Sequence, residues 1–436
     1  MKIIEGGICA PKDFLASGIR CGIKASAAKR DLALVFSSRP CTSAAVFTAN
    51  LVQAASVTVS REHNQAGKIR ALIANSGNAN ACTGPAGLEA ARRMAQLTAE
   101  KLGIQAEETA VASTGVIGVP LPIEKVEAGI PELAASLNSL GADDALEAIM
   151  TTDTRKKCMA VEFSLPEPAV GCCGTESGQD LSRRGGERKT AFEAGGEASP
   201  LRIGAMVKGS GMIHPNMATM ICVITTDAAV TAPMLDRALR RAVNRSFNRL
   251  TVDGDMSTND MALIMANGAA GCCLIDSEGP AWEAFALALE EVCAGLARAM
   301  ARDGEGATRL VTVTVDGAAC EEDAAALARS VAGSSLVKAA CFGADANWGR
   351  VLCALGYAGV AFEPEETSVT FASAAGDVPV CKNGGSLPFS EEKAKQVLLE
   401  EEIEIRVVAG KGPGRASAWG CDLSYDYVKI NGDYRS

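Results

Sequence analysis

The stretch VKGSGMIHPNMATMICVITTDA, Val207–Ala228, decides how the rest of the chain is read. It begins as a loop punctuated by glycine, Lys208-Gly209-Ser210-Gly211, and passes through His214-Pro215-Asn216. It ends in Met220–Ile224, an apolar run with the look of a buried strand. Ala218 and Thr219 sit at the join. A hydroxyl at a strained loop-to-strand junction is a place where a nucleophile can be held exposed. An ordinary turn feeding a core strand has the same local pattern, so this stretch is weighed against the rest.

Outward from it, the chain alternates strand and helix patterns, the mark of an α/β fold. Upstream, Leu32–Phe36, Ala44–Thr48, Ser56–Val59 and Ala71–Ala74 read as short strands. Asn75–Asn80 then leads into a helix over about Pro85–Leu102, with Thr83 as cap and Gly103 as stop. Such an amide-rich loop can cradle a ligand, although turn chemistry is the commoner reason for it. The next loop, Ala112–Gly118, sets a Thr114 hydroxyl beside the unshielded backbone N–H of Gly115. Two adjacent donors are what an oxyanion needs. A helical segment near Pro131–Met150 precedes Thr151-Thr152-Asp153-Thr154. Gly171–Pro200 is rich in Gly, Glu, Arg and Ser and reads as a surface insertion.

Downstream, Thr231–Val243 is a helix with Leu235, Leu239 and Val243 on one face. Leu250–Val252 reads as a strand entering the acidic loop Asp253–Asp260. That loop has no EF-hand spacing, and a hydrogen-bonded turn supporting a neighbouring site is the reading favoured over a cation site. A helix near Ala281–Arg302 places Phe285, Leu289, Val292, Leu296 and Met300 on one stripe. Glu305 follows between Gly304 and Gly306, at a helix-to-strand corner where a ligand can approach closely. From about 310 to 425 the pattern is that of a second, smaller α/β unit. Its Gly410–Gly414 loop lacks the Walker spacing.

Composition narrows the function. At 436 residues the chain exceeds a single core. A net charge of −10, no long basic run and 4% aromatic residues argue against nucleic acid. The sixteen cysteines lie mostly in apolar runs, as at Cys222 and Cys353, which suits free thiols in a reducing cytoplasm. With only His63 and His214 available, no zinc spacing arises, and no metal is expected. The start, MKIIEGGICAPKDF, lacks the apolar run of a signal peptide, and no stretch has membrane-spanning length.

Six blocks, taken together and in order, resemble one family. They are NSGNANACTG (Asn75–Gly84), STGVIG (Ser113–Gly118), MTTDT (Met150–Thr154), KGSGMIHPNMATM (Lys208–Met220), DGDMSTND (Asp253–Asp260) and GADANWGR (Gly343–Arg350). The chain is similar to the ornithine acetyltransferases of the cyclic arginine pathway, whose bifunctional members are also glutamate N-acetyltransferases. The resemblance runs from Gly6-Gly7 to Ser436, and Gly171–Pro200 is its main departure.

The resemblance implies an α/β sandwich of the kind shared with certain self-cleaving aminopeptidases. It implies a precursor cut between Ala218 and Thr219 into chains 1–218 and 219–436 that assemble as a heterotetramer. Thr219 would then be an amino-terminal nucleophile, activated by its own α-amine, whose reference pKa is about 7.7–8.0. Thr114 and Gly115 match the oxyanion donors, and Thr151, Lys208, Thr219, Glu305, Asn431 and Ser436 match the substrate contacts. Thr152 or Thr154 can align in place of Thr151. Lys208 and Glu305 suit the carboxylate and ammonium of an amino acid. The implied reaction moves acetyl from N-acetylornithine to glutamate with no bound cofactor, and leaves open whether acetyl-CoA is also a donor. The rival is a hydrolase or aminopeptidase of the same fold, passing the acyl group to water.

Overall fold

The computed structural model describes residues 1–26, 28–166, 200–214 and 220–432. The 171–200 insertion (Pro200 excepted), Ala218, Thr219 and Ser436 therefore lie outside the described residues.

Period-two alternation builds the centre of the molecule. In strand Ile221–Thr226, Ile221 and Val223 point into one core while Cys222 and Ile224 point into another. Strand Met261–Ala266 repeats this, with Met261, Leu263 and Met265 on one side and Ala262 and Ile264 on the other. Both strands are buried on both faces, so they lie in the middle of a stack. They belong to a six-stranded sheet ordered Lys2–Ile4, Lys157–Phe163, Leu201–Lys208, Ile221–Thr226, Met261–Ala266, Thr42–Phe47.

A four-stranded sheet, Phe14–Ile19, Leu32–Ser37, Ala71–Asn78, Thr109–Val116, lies against its inner face. Phe14, Val35, Leu72 and Ala112 meet Met206, Val223 and Leu263 in the core between the two sheets. Helices Ala232–Arg245 and Pro280–Arg302 cover the outer face of the larger sheet through Leu235, Leu239, Phe285, Leu289 and Leu296. Helices Gly84–Leu102 and Ile123–Ala135 cover the smaller sheet through Met94, Ile130 and Leu133. The result is the α/β sandwich expected, in four layers: helix, sheet, sheet, helix. Cutting Leu239 or Leu289, both fully buried, to alanine removes about 2–5 kcal/mol of stability. A second six-stranded sheet, from strands between Leu310 and Cys421, packs helices Glu321–Gly333 and Glu391–Leu398 on one face over its own core.

Several local expectations change. Ser56–Val59 lies in helix Ala55–His63, not in a strand. Its β-branched residues favour a strand, but Val57 and Val59 are buried and the Ser60 hydroxyl donates to Val111 O at 2.6 Å, so packing overrides propensity. Asn75–Asn78 and Ser113–Val116 are the ends of paired strands rather than loops. The segment near Pro131–Met150 splits into Ile123–Ala135 and Ala142–Ile149, broken where Ala16 N donates to Asn138 O at 3.0 Å. Leu250–Val252 makes one bridge, Leu250 to Trp419, and no strand. The described cysteines are unpaired as expected, but Cys353 is exposed, on the open side of helix Trp348–Gly356.

Candidate active site

Seven chain segments converge on a cavity of about 240 Å³ at one edge of the sandwich. Its lining includes Thr114 and Gly115, Thr151 and Thr152, Lys208 and Gly211, Ser257–Asn259, Glu305 and Asn431. Larger hollows lie elsewhere, among them one of about 570 Å³ beside strand Lys2–Ile4 and one of about 850 Å³ on the open face of the last sheet. Size does not choose among them. The smaller cavity is where a buried cation, a buried carboxylate and a glycine-bounded strand end meet.

Each wall has a local cause. Strands Ala71–Asn78 and Thr109–Val116 run parallel, with Ser76 opposite Thr114 and Gly77 opposite Gly115, until the register breaks at Asn78. Gly115 has φ +133°, and a Cβ there would sit 2.4 Å from Gly77 C, so only glycine lets the strand ends approach this closely. Asn259 fixes the same corner: its Nδ2 donates to Ala79 O at 2.7 Å and Ser113 O at 2.8 Å.

Thr151 is set by its own N–H, which donates to Asp153 Oδ2 at 3.0 Å. Thr152 shares a hydrogen bond with Ser210, Oγ1 to Oγ at 2.8 Å. Thr154 is committed elsewhere, to Asp303, so Thr151 and Thr152 are the threonines of this block that line the cavity.

Lys208 ends strand Leu201–Lys208 and is 3% exposed. Burial lowers its pKa, while Asp153, Glu305 and Asp260 favour its charged form and Lys157 opposes it. It pairs in register with Ile221, two residues after Thr219. Met220 N donates to Asp260 Oδ1 at 2.9 Å, and burial pushes the Asp260 carboxyl well above the usual carboxylate range.

Glu305 is held by its N–H, which donates to Ser210 O at 2.8 Å, and its Oε2 accepts from Asn431 Nδ2 at 2.9 Å. Asn431 arrives on the exposed helix Tyr425–Gly432, so the end of the described chain does fold back over the site. His214 is not among the lining residues; its Nδ1 lies 3.4 Å from Thr251 Oγ1. Asp253 accepts from the N–H groups of Met212 and Ile213 at 2.6 and 2.8 Å, a hydrogen-bonded turn of the kind favoured from sequence.

The ArgJ family model matches residues 15–181 and 186–436. The chain belongs to the ArgJ family. The arginine biosynthesis bifunctional protein ArgJ of Symbiobacterium thermophilum is 49% identical over 437 residues, covering 100% of both chains. That of Caldanaerobacter subterraneus subsp. tengcongensis is 48% identical over 436 residues, again covering 100% of both. A solved ornithine acetyltransferase of Mycobacterium tuberculosis, complexed with ornithine, is 42% identical over 36% of this chain and 86% of its own, with a TM-score of 0.35. This ArgJ protein is thus an enzyme of arginine biosynthesis and an acyltransferase. No helix among the described residues is long and apolar enough to cross a membrane.

Of the residues singled out in sequence, the structure brings Thr114, Gly115, Thr151, Lys208, Glu305 and Asn431 to this one cavity. Ala218, Thr219 and Ser436 lie outside the described residues. Sequence reasoning missed Asn259, whose block was read only for its carboxylates. It also missed Lys157 and Asp303, since nothing local marks a lysine at a strand start or an aspartate at a helix end as part of a site.

Proposed function

We propose that this ArgJ enzyme transfers acetyl from N2-acetyl-L-ornithine to L-glutamate through an acetyl ester on Thr219. The observation that supports it is the pairing of Lys208 and Glu305 across one small cavity beside Thr114 and Gly115. A cation and an anion lining one cavity suit the α-carboxylate and side-chain ammonium of N-acetylornithine, which leaves the acetamide to face the nucleophile.

The precursor is cut between Ala218 and Thr219, freeing the threonine amine. With a pKa near the reference value of about 7.7–8.0, that amine accepts the Thr219 hydroxyl proton as the oxygen attacks the acetyl carbonyl. Thr114 and Gly115 donate to the resulting oxyanion. As the C–N bond breaks, the ammonium returns the proton to the departing α-nitrogen of ornithine. Glutamate's neutral amine then attacks the ester, and the threonine oxygen leaves with the proton. Thr151 and Ser436 complete the substrate contacts, acetyl-CoA is a candidate second donor, and the cut chains assemble as a cytoplasmic heterotetramer.

Amino-terminal sequencing of purified protein tests the cut: a fragment beginning TMICV is expected, and its absence overturns the reading. The transfer is tested by assaying glutamate acetylation with N-acetylornithine and acetyl-CoA as separate donors. Thr219→Ala removes both cleavage and transfer, and Thr219→Ser retains part of each. Release of free acetate without a requirement for glutamate identifies a hydrolase instead.

A further inference from the structure

We infer that Lys157, a residue outside the cavity lining, is a positioning residue that sets Thr151, Lys208 and Glu305 relative to one another. The inference rests on the proposed amino-acid site.

Lys157 begins strand Lys157–Phe163, and its side chain is 1% exposed. Its ammonium bridges two carboxylates that are as buried as itself, Asp153 Oδ1 at 2.8 Å and Asp303 Oδ2. A third bond runs to Arg155 O at 3.3 Å.

Each aspartate holds a different part of the site. Asp153 accepts the N–H of Thr151 at 3.0 Å and the N–H of Gly209, the residue after Lys208, at 2.8 Å. Asp303 accepts the N–H and hydroxyl of Thr154 and the N–H of Arg155. It lies two residues before Glu305 and caps helix Pro280–Arg302. One ammonium therefore joins the loop of Thr151, the loop after Lys208 and the corner of Glu305, across 146 residues of sequence.

The side chains of opposite sign alternate: Lys157 lies between Asp303 and Asp153, and Asp153 faces both Lys157 and Lys208. Asp153 acts on both lysines, which is why its carboxyl is held down near 2 despite burial. The groups facing Lys208 are Asp153, Lys157, Glu305 and Asp260. Of these only Lys157 disfavours its charge, so removing Lys157 raises the pH at which Lys208 loses its proton. A residue that merely fills space has no such effect.

The test uses the cleaved enzyme with Lys157→Met and, to keep the buried charge as in the parent, Lys157→Met/Asp303→Asn. Thermal melting establishes which variants fold. In a folded variant the KM for N-acetylornithine rises about 10- to 100-fold, with a smaller change in kcat, as expected for ångström-scale misplacement of binding groups. The alkaline limb of kcat/KM, where Lys208 deprotonates, moves to higher pH. The Lys208 titration is followed directly by NMR of labelled lysine side chains, which needs no substrate. A folded double variant with the parent KM and the parent Lys208 titration overturns the inference, as does failure of both variants to fold, which makes the network one of stability alone. A parent enzyme that transfers no acetyl overturns the functional reading instead, and the NMR titration still decides the role of Lys157.

Discussion

Asn431 Nδ2 donates to Glu305 Oε2 at 2.9 Å, tying the last described helix to the corner that follows Pro280–Arg302. One of the two Glu305 oxygens is thereby aimed, and the other is left for a ligand. Glu305→Gln keeps the shape and removes the charge. Because charge-assisted hydrogen bonds contribute about 1.5–3 kcal/mol, kcat/KM for N-acetylornithine should fall about 10- to 100-fold. Asn431→Ala should act in the same direction and more weakly. Steady-state kinetics with both variants decide it, and an unchanged donor KM in Glu305→Gln assigns the ammonium to another residue.

Gly211 faces Glu305 so closely that an added Cβ would lie 2.2 Å from Oε2. The obstacle is the end of a side chain, which can move, so Gly211→Ala should fold. It should nevertheless copy Glu305→Gln by pushing the carboxylate out of the cavity. Measuring melting temperature beside kcat/KM separates the two effects: a near-normal Tm with a large kinetic loss is the expected pair.

Helix Tyr425–Gly432 buries none of its residues, so surface contacts hold it, among them Tyr425 edge-on to Phe342 with ring centroids 5.6 Å apart. The Tyr427 hydroxyl donates to Asp253 Oδ2 at 3.3 Å, and the Ser424 hydroxyl donates to Gly306 O at 2.5 Å. Tyr427→Phe removes one of these while keeping the ring. A single hydrogen bond contributes about 0.5–1.5 kcal/mol, so KM should rise about 2- to 10-fold. Proteolysis of the carboxyl-terminal segment should quicken in parallel. A variant with unchanged KM and unchanged cleavage rate would show that Asp253 serves only Met212 and Ile213.

Burial alone would raise the Asp153 carboxyl, but Lys208, Lys157 and the Thr151 N–H together outweigh it and hold its pKa near 2. A carboxylate with a depressed folded-state pKa stabilises the protein above its unfolded value of about 3.9. That stabilisation fades as pH falls from there towards about 2. Asp153→Asn should therefore melt well below the parent at pH 6, and the gap should narrow below about pH 4. Calorimetry across that range is the check; a gap independent of pH removes the charge from the explanation.

The central elements were readable because their cause is local: the apolar run Met220–Ile224 announces a buried strand, and the stripe Phe285, Leu289, Val292, Leu296 and Met300 announces one buried helix face. Five of the six blocks located the site because each supplies part of its lining, whereas Gly343–Arg350 supplies none. What escaped depended on partners far away in sequence. Ser113–Val116 reads as a loop until Asn75–Asn78 is beside it, and Ser56–Val59 reads as a strand until Ser60 meets Val111. Lys157 is invisible for the same reason, since Asp303 reaches it only in three dimensions.

Strands Leu201–Lys208 and Ile221–Thr226 are hydrogen-bonded neighbours, with Lys208 opposite Ile221, and they flank the proposed scission point. Once that bond is cut, the two pieces still share one sheet, so they travel as a single particle until something melts it. From then on, recovery is a meeting of two molecules and not the collapse of one. Dilution should slow it, and an excess of either half should speed it. The uncut precursor would renature at a rate indifferent to concentration, so a single chemical event converts a self-sufficient chain into one whose shape has a memory but no independent way back.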